Sequence, residues 1–502
     1  MPPRESYDWL RQHAVNTAML GSASALLHWD QSTKMPVKGH AQRAGQIAYL
    51  AGLIHERRTD PYVGEALSKA RAELVHDDPD SVWSANVREW LRDYERNVKI
   101  PADLAIALAR ATAQGESAWK EARPKNDWQA FLPHLEEILS LRREEAQAVG
   151  FAHEAYDALL DEYEPGETTA SIEPVLTGLR QALVPLLDRI LGAPKQPDAS
   201  ILGRSFPVGC QKAFCRETAS KLGYDFSAGR LDSTAHPFST RIGPGDTRIT
   251  TRFEENDFAQ AFFGTIHEAG HALYSQGIPA DHFGTPCGSS VSLGVHESQS
   301  RLWENMVARS RGFWTHFLPQ AKERFESLRG VELNDFVSAV NTVRPGLIRV
   351  DSDEVTYNLH VLLRFELELG LLRGELEARH LPEAWNESMR STIGLTPPDL
   401  ATGAMQDVHW ASGLMGYFPT YTLGNLYAAQ LYEAAERDMG NLEAQFAEGS
   451  FAPLLGWLRD KVHVHGGRFV PRELMRRATG TELGHEAFMG YLENKYTSLY
   501  GL

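Results

Sequence analysis

Two histidines four residues apart, in His267-Glu268-Ala269-Gly270-His271, constrain this chain more than any other feature. Donors at that spacing converge on one ion when the backbone between them is helical, because residues four apart then share a face about a turn apart. Phe262, Ile266, Ala269 and Leu273 repeat at helical spacing and place an apolar stripe on the side away from His271. Asn256 or Asp257 is the expected cap, and Gly277 followed by Pro279 the expected stop. The segment reads as a helix buried along one face that offers two imidazoles to a zinc ion on the other. Glu268 sits beside those imidazoles, where it reaches a water rather than the ion. Two polar histidines on a solvated helix face are the ordinary alternative, so the neighbours decide.

Such a site needs a third protein ligand and an open position for water. The Gly/Ser-bearing loop Gly284-Thr285-Pro286-Cys287-Gly288-Ser289-Ser290 lets the chain double back before His296-Glu297-Ser298-Gln299. A second helix is expected there, packing Leu302, Trp303 and Met306. Glu297, near its start, is the first choice for the third ligand. His296 and, within the loop, His282 are alternatives; Cys287 reads as a packed thiol.

Five motifs carry a resemblance. They are His236-Pro237-Phe238, Asp246-Thr247-Arg248-Ile249-Thr250, the double-histidine helix with His296-Glu297-Ser298-Gln299, Ile348-Arg349-Val350-Asp351-Ser352-Asp353, and Gly403-Ala404-Met405-Gln406-Asp407-Val408-His409-Trp410. Together they resemble the carboxypeptidase Taq family of metallocarboxypeptidases, related in fold to neurolysin and angiotensin-converting enzyme. One departure is Ser352, where the family carries alanine. The resemblance implies a mainly α, neurolysin-like body with two lobes flanking a deep groove and a small β-sheet next to the zinc helix. It implies one Zn2+ per chain, with Co2+ or Mn2+ as substitutes, held by His267, His271 and Glu297. It also implies Glu268 as general base and a homodimer. By analogy with the related peptidases, His409 and a tyrosine, Tyr421 or in reserve Tyr417, supply donors to a developing oxyanion.

A carboxypeptidase recognises a free carboxylate, and the planar fork of arginine suits that task. Arg349 is the first candidate and Arg248 the second, although Asp351, Asp353 and Asp246 are near enough to make either a structural partner. His236 lines the same groove or simply shapes a His-Pro turn. Leu231 to Ile242 and Thr247 to Phe253 read as a hairpin joined by Gly243-Pro244-Gly245-Asp246, whose edge is available to an extended peptide.

Elsewhere the periodicity is helical, as in Trp128, Phe131, Leu132, Leu135, Ile138 and Leu139 behind the cap Asp127. Leu191 to Gly209 is the best internal break. It divides a helical lobe over 1–200 from a catalytic helical region over 201–502, the two forming one integrated domain. His463 and His465 read as basic residues closing a helix before Gly466-Gly467, and His360 as a packed polar residue. The net charge of −16 argues against nucleic acid. Three cysteines without a paired framework fit a reducing interior. No segment from Met1-Pro2-Pro3 onward has the apolar core of a signal peptide or the length of a membrane span, so the expected location is the cytoplasm and the expected partners are peptides with free C-termini. A zinc oligopeptidase that cleaves internally is the principal rival, and an inactive helical binding protein a lesser one.

Overall fold

The computed structural model describes residues 4–502, so Met1-Pro2-Pro3 of the N-terminal reading lie outside the described residues. The architecture is mainly helical with one small three-stranded sheet. The chain divides into two compact units, Met1–Asn97 with Asp198–Val340 and Ala428–Glu482, and Val98–Pro197 with Asn341–Tyr427 and Leu483–Leu502.

In the first unit the double-histidine segment is a helix over Phe258–Gly277, started by Asp257, whose side chain accepts from the Gln260 N–H. Phe262, Ile266, Ala269 and Leu273 are all fully buried. Beneath them Phe258 stacks on Phe262 at 5.1 Å between ring centroids, and Trp314 lies 5.2 Å from Phe262. This aromatic layer fixes which way the imidazoles point. The next helix, Leu293–Arg301, starts at Ser292, whose hydroxyl accepts from Val295 N–H, and runs on into a wider turn of π type over Leu302–Val307.

These two helices meet at Gly270. A Cβ built there would lie 2.6 Å from the Gln299 carbonyl oxygen and 2.7 Å from Ser300 Cα, both backbone atoms. Backbone thus touches backbone one residue before His271 and two residues after Glu297.

The sheet differs from the expected hairpin. Leu231 to Ile242 is two strands, β1 (Leu231–Ser233) and β2 (Phe238–Gly243), and both flank β3 (Asp246–Thr251) in the order β1-β3-β2. β1 runs parallel to β3 and β2 antiparallel. The break falls at Thr234 to Pro237, where proline has no N–H to give a ladder. β2, with residues half-buried throughout, is an edge strand.

In the second unit the helix Glu354–Arg373 begins at Asp353, whose carboxylate accepts from Val355 and Thr356 N–H, and ends at Gly374 with φ 78°. Almost all of it is buried, yet His360, Arg364 and Glu368 lie on it at four-residue intervals, each fully buried. That spacing makes a polar stripe along one face of an otherwise apolar helix.

Candidate metal centre and active site

His267, His271 and Glu297 each bring one donor atom into a set whose members all lie within 4.8 Å of one another. Glu297 Oε2 is 3.5 Å from His267 Nε2 and 3.3 Å from His271 Nε2. The far side of each imidazole is tied back. His267 Nδ1 donates to Glu304 Oε2 at 2.8 Å and His271 Nδ1 donates to the His296 carbonyl at 3.0 Å. Those bonds select the tautomer that leaves both Nε2 lone pairs facing Glu297. Glu297 is ionised. Burial pushes its carboxyl up, but Arg301, whose Nε donates to Oε1 at 2.7 Å, and the two imidazoles hold it well below the usual carboxylate range. Two imidazoles and one carboxylate, oriented by outer partners, fit a divalent cation.

The alternatives are placed elsewhere. His296 lies behind His271, its Nδ1 2.6 Å from His271 Nδ1, on the side away from Nε2. His282 ends a short turn over Ala280–His282, and the buried Cys287 thiol contacts the Val82 carbonyl at 3.8 Å. His463 is buried, with Nε2 2.9 Å from Gln299 Oε1, and His360 Nε2 donates to the Gly346 carbonyl. Glu268 is 7% exposed, and burial raises its carboxyl against the opposing pull of His267 and His271.

The other candidates gather in two places. In the first unit His236 is exposed in the β1–β2 connection, and Arg248 forms a two-pronged pair with Asp246 at 2.7 and 2.8 Å while lying over the Trp29 ring. In the second unit Arg349, 4% exposed, donates to Asp407 through Nε and a terminal nitrogen at 3.2 and 3.0 Å, and to the Tyr357 hydroxyl at 3.1 Å. Its acid is Asp407, and neither Asp351 nor Asp353. Arg364 shares Asp407 from the other side, its Nε 2.7 Å from Oδ2. Burial pushes the Asp407 carboxyl up, but the two guanidiniums hold it far below the usual range. His409 Nε2 is 3.2 Å from the Tyr421 hydroxyl, and the Arg349 guanidinium lies 4.8 Å from the Tyr421 ring centroid. Burial lowers His409 to about 4, so its ring is neutral near pH 7. Tyr417 packs its ring against both His409 and Tyr421.

The family model described as carboxypeptidase Taq (M32) metallopeptidase matches residues 9–496. The chain belongs to that family. It is 53% identical to thermostable carboxypeptidase 1 of Thermus thermophilus, the match spanning all of both chains. It is 38% identical to carboxypeptidase 1 of Bacillus subtilis over 99% of this chain and 98% of that one. The solved M32 carboxypeptidase of Deinococcus radiodurans R1 superposes with a TM-score of 0.96 at 44% identity, over 99% of this chain and all of that one. This M32 protein is therefore a metallocarboxypeptidase, a hydrolase that uses a divalent metal.

Sequence reasoning passed over three residues of this M32 chain: Glu304, Arg364 and Glu368. Glu304 stands seven residues beyond Glu297, a spacing that repeats on one helix face, and carries Arg301 and Arg309 on its carboxylate. Burial opposes its ionisation, but His267 and the arginines hold its carboxyl at about 2. Glu304→Gln removes the charge that orients His267. It is expected to weaken metal binding about 10- to 100-fold, read by competition with a chromophoric chelator.

Proposed function

We propose that this metallocarboxypeptidase holds one zinc ion on His267, His271 and Glu297 and removes C-terminal residues from peptides, with Glu268 as general base. The observation that carries the reading is the convergence of three donor atoms whose imidazoles are both tied back at Nδ1. Zinc suits two imidazoles and a carboxylate; Co2+ or Mn2+ are the expected substitutes. A bound ion supplies a Lewis acid and lowers the pKa of a water.

The chain's own groups do the remainder. Glu268, raised by burial toward the working pH, takes the proton of the attacking water and returns it to the leaving amine. His409, neutral and paired with Tyr421, donates toward charge developing on the carbonyl oxygen.

Arg349 is our first choice for the substrate carboxylate, and the pairing supports it. Arg248 and Asp246 pair one to one, whereas Asp407 is divided between Arg349 and Arg364, so Arg349 is the less fully neutralised of the two candidates. Arg248 and His236 are proposed only as outer contacts of the peptide.

We also propose a cytoplasmic homodimer acting on peptides rather than on nucleic acid or membranes. The net charge of −16 supports the exclusion of nucleic acid, and the three free cysteines support a reducing compartment. Among the described residues no helix is long and apolar enough to cross a membrane.

A peptide offered with its C-terminus free or amidated tests the end-specificity. The zinc-loaded enzyme is expected to release single residues from the free peptide alone. Equal cleavage of both would remove the carboxylate role of Arg349 and favour an oligopeptidase.

A further inference from the structure

Glu368 is a fully buried carboxylate with no part in the chemistry described above. It accepts three hydrogen bonds. Trp410 Nε1 donates to Oε1 at 2.9 Å, the Tyr156 hydroxyl to Oε2 at 2.8 Å, and Gly416 N–H to Oε2 at 3.2 Å. Two of these donors belong to the segment that carries His409. The same helix grips that segment on the other side of His409, where Arg364 holds Asp407. His409 has few polar holds of its own: its Nδ1 is buried without a hydrogen-bond partner, 3.9 Å from Asp407 Oδ1, and Nε2 meets the Tyr421 hydroxyl. Its ring packs on Phe418 at 4.5 Å between centroids and against Tyr417, so its aim depends on where the segment from Asp407 to Phe418 is held.

We propose that Glu368 is a positioning residue for His409, fixing the Asp407–Gly416 segment through Trp410 and Gly416 so that the His409 ring meets the substrate. The inference rests on the reading of His409 as a donor to the reacting carbonyl. An ionised carboxylate is acceptor-only and so matches three donors at once. Burial pushes its carboxyl up to about 7 despite the three donors and Arg364, so the acceptor-only form that matches all three donors prevails above that pH. An apolar residue of similar size fills a core at lower cost, so a buried acid here points to a demand for register beyond packing.

Glu368→Gln keeps the shape but turns an amide N–H2 toward donors. Misplacement of a reacting group by about 1 Å costs as much as 10²-fold. We expect kcat to fall roughly 10- to 100-fold with KM within about threefold of wild type, since the lost interaction belongs to the transition state. Metal content and helical circular dichroism are expected to be unchanged. The decisive readout is a double-mutant cycle: Glu368→Gln added to His409→Gln is expected to cause no further loss, because both act through one ring. Losses that multiply would overturn the inference, as would unchanged kcat in Glu368→Gln beside a damaged His409→Gln. Unchanged kcat in His409→Gln itself would instead remove the reading of His409, and the inference with it. Trp410→Phe, which deletes one donor and leaves the carboxylate paired to Tyr156 and Gly416, repeats the cycle should Glu368→Gln fold poorly. It is expected to show a smaller loss with the same lack of additivity.

Discussion

Glu268→Gln is expected to keep its metal and lose about 10²- to 10⁴-fold in kcat. The carboxylate follows His267 directly on the helix but is absent from the three-donor set, so its removal leaves the three candidate ligands intact. Glutamine has nearly the same volume and fits the same buried place, so packing is preserved. What it cannot do is accept a proton. Burial already moves the Glu268 carboxyl upward, which narrows the gap to the proton it must take and return. Turnover of a blocked dipeptide and metal per chain by mass spectrometry check both halves of the expectation. Full activity in a metal-replete variant would sink the general-base role, and loss of metal would make Glu268 part of the binding site.

Gly270→Ala is expected to act through the metal rather than the proton. In the middle of a helix this exchange ordinarily stabilises by roughly 0.5–1 kcal/mol. Here the added methyl meets the backbone of Gln299 and Ser300 at 2.6 and 2.7 Å, and neither atom can swing aside as a side-chain tip would. Overpacking of this kind costs about 1–3 kcal/mol and outweighs the propensity gain. The Leu293–Arg301 helix must shift, carrying Glu297 away from the imidazoles. Metal affinity should fall about 10- to 100-fold, the range seen when ligand orientation is disturbed. Calorimetric titration of the apoprotein measures it, and an unchanged affinity would mean that Glu297 is placed by its own helix alone.

The parts of this protein legible in its sequence are those governed by short periods. The Phe258–Gly277 helix follows from its stripe and its cap, and His267, His271 and Glu297 converge as their spacing and the intervening loop suggest. The run Leu231 to Ile242, expected as one strand, is β1 and β2 separated at Pro237, and the parallel pairing of β1 with β3 is a non-local contact that the run itself does not report. Glu304 shares a helix face with Glu297 at a seven-residue step, but its role rests on His267, 37 residues upstream, and no local pattern reports that contact. Arg349 has its acid 58 residues downstream rather than beside it, and no local pattern reports such a pair. Arg364 and Glu368 did leave a trace, since charges at four-residue steps interrupt an apolar helix, but only the fold says what they hold.

The contact at Gly270 has a thermal consequence. With no side chain at the Gly270 crossing, the separation of the two helix backbones that carry the candidate ligands is set there by main-chain thickness and not by how side chains repack. Warming that loosens rotamers leaves such a spacing untouched until the helices themselves part. Metal release, followed with a fluorescent chelator, is therefore expected to coincide with the loss of helical signal in one transition. Release at a distinctly lower temperature would mean that the ligands come apart while the backbone contact still holds.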